Sequence, residues 1–276
     1  MYAITAKVLL ILAVLPGIFF MYQVYKLDKI EKEPMGLILK LIVGGIICVV
    51  PAFILELIGG LIIEGIYSPL VYSLVENFIV VACVEEGCKM AALHICSWKD
   101  KEFNYRFDAI VYAVAVGVGF AISENVSYAF SYGFYNTLFR AVTAIPAHVI
   151  FAIFMGHFYG AAKQAYEQGN MAGKRNSMLA AFFVPVVLHG CYDFIASSGS
   201  AILTLVFFVF IVALDFVAYK KIKIYSSEDE QIVFEPEEME APTVDLGVAP
   251  SSVVVEDTLS DAEKAIADLE NKYNNM

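Results

Sequence analysis

The sequence predicts an all-α protein: a polytopic membrane helix bundle of about seven transmembrane helices, carrying a disordered acidic C-terminal tail. Of its 276 residues, 59% are hydrophobic and 17% charged, whereas soluble domains are apolar over roughly 45–50% of their length. The apolar residues fall into seven runs, each near or above the about 20 residues that a spanning helix needs. The net charge of −11 is concentrated at one end. Residues 224–276 carry Lys264 and Lys272 against fourteen acids, a net of −12, which leaves the rest of the chain at +1. Two domains follow, a membrane domain over 1–223 and a tail over 224–276. With no basic face, nucleic acid is not an expected partner.

Taken in order, the first run, 3–25, is long, has only Lys7 near its start and shows no small-residue cleavage site before the next charged segment, so a retained span is expected rather than a signal peptide. The segment Tyr25–Pro34 that follows alternates Lys26, Asp28, Lys29, Glu31, Lys32 and Glu33; on composition alone it is a solvated juxtamembrane linker. The other runs cover 36–63, 69–98, 107–132, 138–162, 178–196 and 201–219. Cations gather after the first, third, fifth and seventh runs, and the alternate loops hold almost none, Arg140 being the exception. By the positive-inside rule the N-terminus lies outside and the C-terminus in the cytoplasm. Gly156 and Gly160 form a small-residue pair suited to close helix packing. Cys48, Cys83, Cys88, Cys96 and Cys191 have neither metal-ribbon nor disulfide spacing and are expected as small buried hydrophobes. In the tail, acids with Pro236, Pro242 and Pro250 predict a disordered linker over 225–258. Ser260 and Glu263 resemble a capping box that opens a short helix over 261–274.

Ionisable and amide side chains inside the runs are few, so their positions are informative. They are Glu85, Glu86 and Lys89 in the third run, Glu124 and Asn125 in the fourth, His148 in the fifth, His189 and Asp193 in the sixth and Asp215 in the seventh. A charge at bilayer depth costs at least about 2.5 kcal/mol even on a mild insertion scale, and two adjacent glutamates also repel. At 1.5 Å per residue from the cation-rich ends, Glu86 and His189 lie about 20 Å deep, His148 about 22 Å and Glu124 about 27 Å. Four helices therefore place polar groups in one layer. Lys89 is i+4 from Glu85 and i+3 from Glu86, and His189 and Asp193 are i, i+4, so each pair shares a helix face. Phe120 and Glu124 repeat that spacing. Pro146 and Pro185 precede the two histidines and are expected to loosen the helix ladder beside them. His157, half a turn round from His148, is expected outside the layer, Asp215 is expected to be structural, and Glu56, Glu64 and Glu76 are expected at interfaces.

A carboxylate near neutral pKa can act as general base on water, and a histidine opposite can donate to an oxyanion or a leaving amine. That chemistry is peptide-bond hydrolysis inside the membrane. No Gly-x-Ser-x-Gly, His-Glu-x-x-His or Gly-x-Gly-Asp pattern is present, so serine, zincin-type and aspartyl mechanisms are not supported. No cofactor is expected on this reading; a divalent metal such as zinc, held by the same glutamates and histidines, is the alternative. A proton- or ion-coupled transporter also uses mid-membrane carboxylates, although no internal repeat is visible. A non-proteolytic scaffold on the same fold is the third reading.

Four blocks in order carry a family resemblance: Glu85-Glu86-Gly-Cys-Lys89; Phe107-Asp108 through Gly117, Gly119, Phe120 and Glu124-Asn125; Pro146-Ala-His148; and His189-Gly-Cys-Tyr192-Asp193-Phe194. They resemble the PrsW family of intramembrane proteases, within the wider group of type II CAAX prenyl endopeptidases. The segment from Asp28 to Pro34 resembles that family too, which speaks against a mere linker. The resemblance covers about residues 8–220 and implies a glutamic-type endopeptidase of the bacterial plasma membrane that cuts a single-pass membrane protein. The implied task is the first cleavage of an anti-sigma factor in regulated intramembrane proteolysis. It also implies that Glu85 or Glu86 activates water, that His148 and Glu124 complete the cavity, and that His189 with Asp193 stabilises the oxyanion, with Lys89, Asn125 and Phe120 in support.

Overall fold

The computed structural model describes residues 2–233, with side chains from Ala6 onward; the short helix expected at 261–274 lies outside the described residues. Each of the seven apolar runs is helical. The elements are α1 (Tyr2–Leu27), α2 (Met35–Ile63), α3 (Pro69–Val75), a π-helical stretch (Glu76–Ala82), α4 (Cys83–Ser97), α5 (Asp108–Val142), α6 (Ala144–Glu167), α7 (Met171–Ala196) and α8 (Ala201–Ser227). Among the described residues, five helical stretches are long and apolar enough to cross a membrane, one of them the 60-residue Asp108–Glu167 that contains both α5 and α6. The rod from Pro69 to Ser97 is not among these five; it carries Glu76, Glu85, Glu86 and Lys89.

The break expected between residues 132 and 138 occurs at Gly133, whose φ of 76° and ψ of −163° lie outside any helix. Only glycine adopts that backbone region without strain. Residues 134–142 then form a separate short helix, and the next rod starts at Ala144 rather than at 138. That shift corrects one expectation. Pro146 occupies the first turn of α6, where N–H groups have no intrahelical acceptor in any case, so it loosens nothing. Pro185, by contrast, lies inside α7 and removes one hydrogen bond a turn before His189.

At the centre of the bundle stands α5, buried at every position from Asp108 to Ala121. Its Ala-Val-Gly-rich face lets neighbours approach to backbone contact. A Cβ at Gly119 would lie 2.1 Å from the Ile42 carbonyl oxygen of α2, and one at Gly45 2.0 Å from that of Val116. On the α6 side, a Cβ at Gly156 would lie 2.5 Å from Ile110 Cα, and one at Gly160 2.6 Å from the Arg106 oxygen. In lipid, where apolar burial drives little, such close van der Waals contact is what holds helices together. Helices α1, α2 and α8 present Leu15, Ile62 and Ile202 outward, as a surface solvated by acyl chains requires.

The chain stays ordered beyond the point at which a linker was expected, residue 225. Helix α8 continues to Ser227, and the following residues return to the loop before α5. The Ile232 N–H donates to the Asn104 oxygen at 2.7 Å, the Arg106 N–H to the Glu230 oxygen at 3.0 Å, and the Phe107 N–H to Asp229 Oδ1 at 2.8 Å. Ile232 is 1% exposed, so one buried aliphatic side chain and three hydrogen bonds anchor this acidic stretch.

Gly119→Ala should therefore lower the thermal unfolding midpoint of the purified protein in detergent, at a cost of about 1–3 kcal/mol from overpacking against α2. Gly60→Ala, where a Cβ meets nothing within 4 Å, should leave the midpoint unchanged or raise it, because alanine favours the helix. Equal effects of the two substitutions would rule out the tight α2–α5 crossing.

Candidate active site in the bundle interior

Glu85, Glu86 and Lys89 project from one face of α4 because their spacing spans one helical turn. All three are buried. The Lys89 ammonium donates to Glu85 Oε2 at 2.9 Å and Glu86 Oε1 at 2.8 Å, and lies 3.1 Å from His148 Nδ1. It also stands 4.1 Å from the centre of the Phe120 ring. One cation thus joins two carboxylates of α4 to an imidazole of α6 over an aromatic face of α5.

The two histidines extend the network in opposite directions. His148 Nε2 lies 2.9 Å from Glu124 Oε2, and the other oxygen of Glu124 lies 2.7 Å from Arg140 Nη2. His189 Nδ1 lies 2.9 Å from Glu86 Oε1, while its Nε2 lies 3.1 Å from Asp193 Oδ2. The imidazole rings are 5.3 Å apart and nearly perpendicular, and Phe151 stacks on His189 at 5.0 Å. Gly190 makes room for this wall: a Cβ there would strike the Phe78 ring at 2.4 Å. Phe78 belongs to the π-helical stretch just before α4, a device that changes side-chain register without ending the helix.

Every residue singled out within the layer from sequence is brought together here, from α4, α5, α6 and α7. The supporting positions are here too, Asn125 accepting from Arg140 Nε at 2.8 Å. His157 lies elsewhere, stacked on Tyr225, and Asp215 is on an exposed face of α8.

Two participants were not foreseen. Arg140 is fifteen residues beyond Asn125 yet hydrogen-bonded to it, which a straight helix would forbid, and the reversal at Gly133 makes it feasible. Its signal in the sequence was its standing as the lone cation of the alternate loops. Glu56, expected at an interface, is half-buried and close enough to Glu124, Lys89, His189 and Asp193 to act on them electrostatically.

Membrane-crossing helices that bury glutamates and histidines against one another define an integral membrane protein with an enzyme-type polar site. Residues 33–217, which include the whole layer, match the PrsW family intramembrane metalloprotease. Similar proteins include Protease PrsW of Clostridioides difficile (strain 630), 32% identical over 82% of this chain and 94% of that protein. Another is Protease PrsW of Geobacillus kaustophilus (strain HTA426), 30% identical over 66% of this chain and 76% of that one. A third is Protease PrsW of Bacillus subtilis (strain 168), 28% identical over 67% and 81%. No solved structure matches. The chain belongs to the PrsW family and is a membrane protease.

The family's description names a metal, and the donors here fit one in the place where the Lys89 ammonium now meets Glu85, Glu86 and His148. Glu85, Glu86, His148 and His189 each offer a ligand atom within 4.8 Å of the others. Two imidazoles and two carboxylates are a zinc-type donor set. Moreover, each histidine rests one ring nitrogen on an outer carboxylate, Glu124 or Asp193, and turns the other inward. That is the usual support of a metal-ligating imidazole.

Lys89→Met should strand two buried carboxylates and destabilise the protein by about 3–5 kcal/mol, the usual cost of breaking a buried ion pair from one side. Adding Glu85→Gln and Glu86→Gln should restore most of that loss, as read from thermal unfolding in detergent. Simple additivity of the three losses would mean that the ammonium does not bind the pair together.

Proposed function

We propose that this protein is a glutamate-dependent endopeptidase that hydrolyses a peptide bond of a membrane-tethered protein within the bilayer. The observation that carries the division of labour is the unequal engagement of the two glutamates. Glu86 Oε1 meets both Lys89 and His189, so that carboxylate is held in place. Glu85 meets Lys89 through Oε2 alone, and its Oε1 makes no hydrogen bond among the described residues. The free oxygen of Glu85 is the better-placed general base.

In this reading Glu85 takes a proton from water as the water oxygen bonds to the scissile carbonyl carbon. A histidine N–H, from His189 backed by Asp193, donates to the oxyanion, while His148, whose Nδ1 accepts from Lys89, completes the cavity with Glu124. Collapse of the tetrahedral intermediate breaks the C–N bond, and the proton held by Glu85 passes to the leaving amine. Lys89 keeps the α4 carboxylates together, and Arg140 fixes Glu124. Were an ion present, Glu85, Glu86, His148 and His189 would hold it, and it would supply Lewis-acid polarisation of the carbonyl and a more acidic water.

The substrate class rests on the family: a single-pass membrane protein of anti-sigma-factor type, cut in the bacterial plasma membrane. The distribution of cations supports an outside N-terminus and a cytoplasmic C-terminus.

Purified enzyme carrying Glu85→Gln should cleave a single-span reporter in detergent about 10²–10⁴-fold more slowly, the range typical of losing a general base. Glu86→Gln should lose activity as well. Wild-type rates from both folded variants would sink the proposal. Activity that falls on chelation and returns with Zn²⁺ would assign an ion to the four residues, whereas indifference to chelator would leave the water to Glu85 alone.

A further inference from the structure

A second group of acids lies at the opposite end of α5. Asp28 and Glu33 come from the α1–α2 loop and Asp108 opens α5, sixteen residues and so about 24 Å along the helix from Glu124. The three are 2%, 3% and 1% exposed, respectively. Each offers one oxygen within 4.8 Å of the others. Residues of a solvated linker would not be buried in this way, so the composition-only expectation for Tyr25–Pro34 does not hold.

The hydrogen bonds leave this group incomplete. Tyr112 Oη donates to Glu33 Oε2 at 2.6 Å, and the N–H groups of Asn104 and Tyr105 donate to Asp108 Oδ2 at 3.0 and 2.7 Å. Asp28 Oδ2 and Asp108 Oδ1 are buried and receive no N–H or hydroxyl donor, although Asp108 and Glu33 are close enough to hydrogen-bond through a shared proton. None of the three acids makes an ion pair among the described residues; Lys32 directs its ammonium to the backbone oxygens of Tyr25 and Asp28. The Lys32 ammonium also acts on Asp28, opposed by the further negative charge of Asp229. Burial pushes the carboxyl of Asp28 up to about 6 and that of Glu33 up to about 7. Three acids gathered out of water, with two bare oxygens and only the ammonium of Lys32 nearby to offset them, are short of positive charge.

We propose that Asp28, Glu33 and Asp108 form a site for a hard divalent cation, calcium or magnesium, that staples the α1–α2 loop to the start of α5. An oxygen-only donor set selects such ions over zinc or copper. Oxygens on opposite sides of Ca²⁺ are about 4.6–5.2 Å apart and around Mg²⁺ about 4.2 Å, so a spacing within 4.8 Å suits Ca²⁺ and would have to close in around Mg²⁺. Because residues 229–232 hydrogen-bond to the same turn before α5, the ion would stiffen the junction of three chain segments. This inference is independent of the protease mechanism.

The test uses the full-length protein in detergent, stripped with chelator, with Tb³⁺ as the probe. Tyr112, hydrogen-bonded to Glu33, is close enough to sensitise the lanthanide. Tyrosine-excited Tb³⁺ luminescence should rise saturably and be displaced by Ca²⁺ or Mg²⁺, the stronger competitor naming the ion. The thermal midpoint should rise by about 5–10 °C at a hundredfold excess over Kd. Asp28→Asn and, separately, Glu33→Gln should weaken binding about tenfold or more, as loss of even an outer-shell partner can, while His148→Ala should keep the signal. The proposal fails if no saturable signal appears, if neither loop variant alters it, or if His148→Ala abolishes it. It fails equally if the stripped protein responds to pH but not to cations, the behaviour of a proton shared between Glu33 and Asp108.

Discussion

The architecture depends on one ammonium group. Lys89 contacts Glu85 and Glu86 on its own helix and His148 on another, in a space from which water is largely excluded. Without a shared counter-charge, two adjacent carboxylates could not both remain ionised there, since their repulsion and loss of hydration act in the same direction. With it, the pair becomes a fixed element against which α6 and α7 align their histidines. The ammonium is itself held by the Phe120 ring, so the centre of α5 takes part in the site as well as in packing.

Close packing and polar geometry are therefore linked. The small residues of α5 allow α2 and α6 to approach to backbone contact, and this brings α4, which packs beside α2, and α6 within reach of a single lysine side chain. The reversal at Gly133 has a similar role on the other side. It folds residues 134–142 back so that Arg140 meets Glu124, and Glu124 in turn positions His148. A glycine with positive φ and a run of alanines and glycines thus contribute to the chemistry without touching a reacting atom.

Much of this was legible in the sequence because membranes penalise polar groups so strongly. Glu85, Glu86, His148 and His189 stood out in apolar runs, and counting residues from the cation-rich ends placed them at one depth before any contact was known. Less legible was whatever depends on chain direction rather than helical period. The reversal that recruits Arg140 depends on a backbone angle at Gly133, which composition does not disclose. The inward turn of Glu56 depends on the rotation of α2, and α2 is apolar nearly all round, so periodicity gave no face to choose. Pro146 was misplaced for a related reason: the start of α6 is set by Thr143, whose φ of −122° and ψ of −61° break the helix, rather than by a loss of hydrophobicity. Asp28 and Glu33 resemble solvated charges in sequence, since their burial depends on α5 and Tyr112, far along the chain.

The two acid clusters place the same electrostatic demand on the fold. In the bundle interior, Glu85, Glu86, Glu124, Asp193 and the half-buried Glu56 are five acids facing the two permanent cations Lys89 and Arg140. The excess of acids calls for further positive charge, which protons on the acids and on His189 or a divalent ion would each supply, His148 being kept neutral by the Lys89 ammonium at its Nδ1. Proteolysis by a general base and proteolysis with a bound metal are thus two ways of meeting the same electrostatic demand with the same residues. At the other end of α5, Asp28, Glu33 and Asp108 show a similar shortfall with no histidine beside them to take up a proton. There the carboxyls must either stay protonated themselves or draw a cation from solution, and in the second case the fold would be coupled to the ion concentration on that side of the membrane.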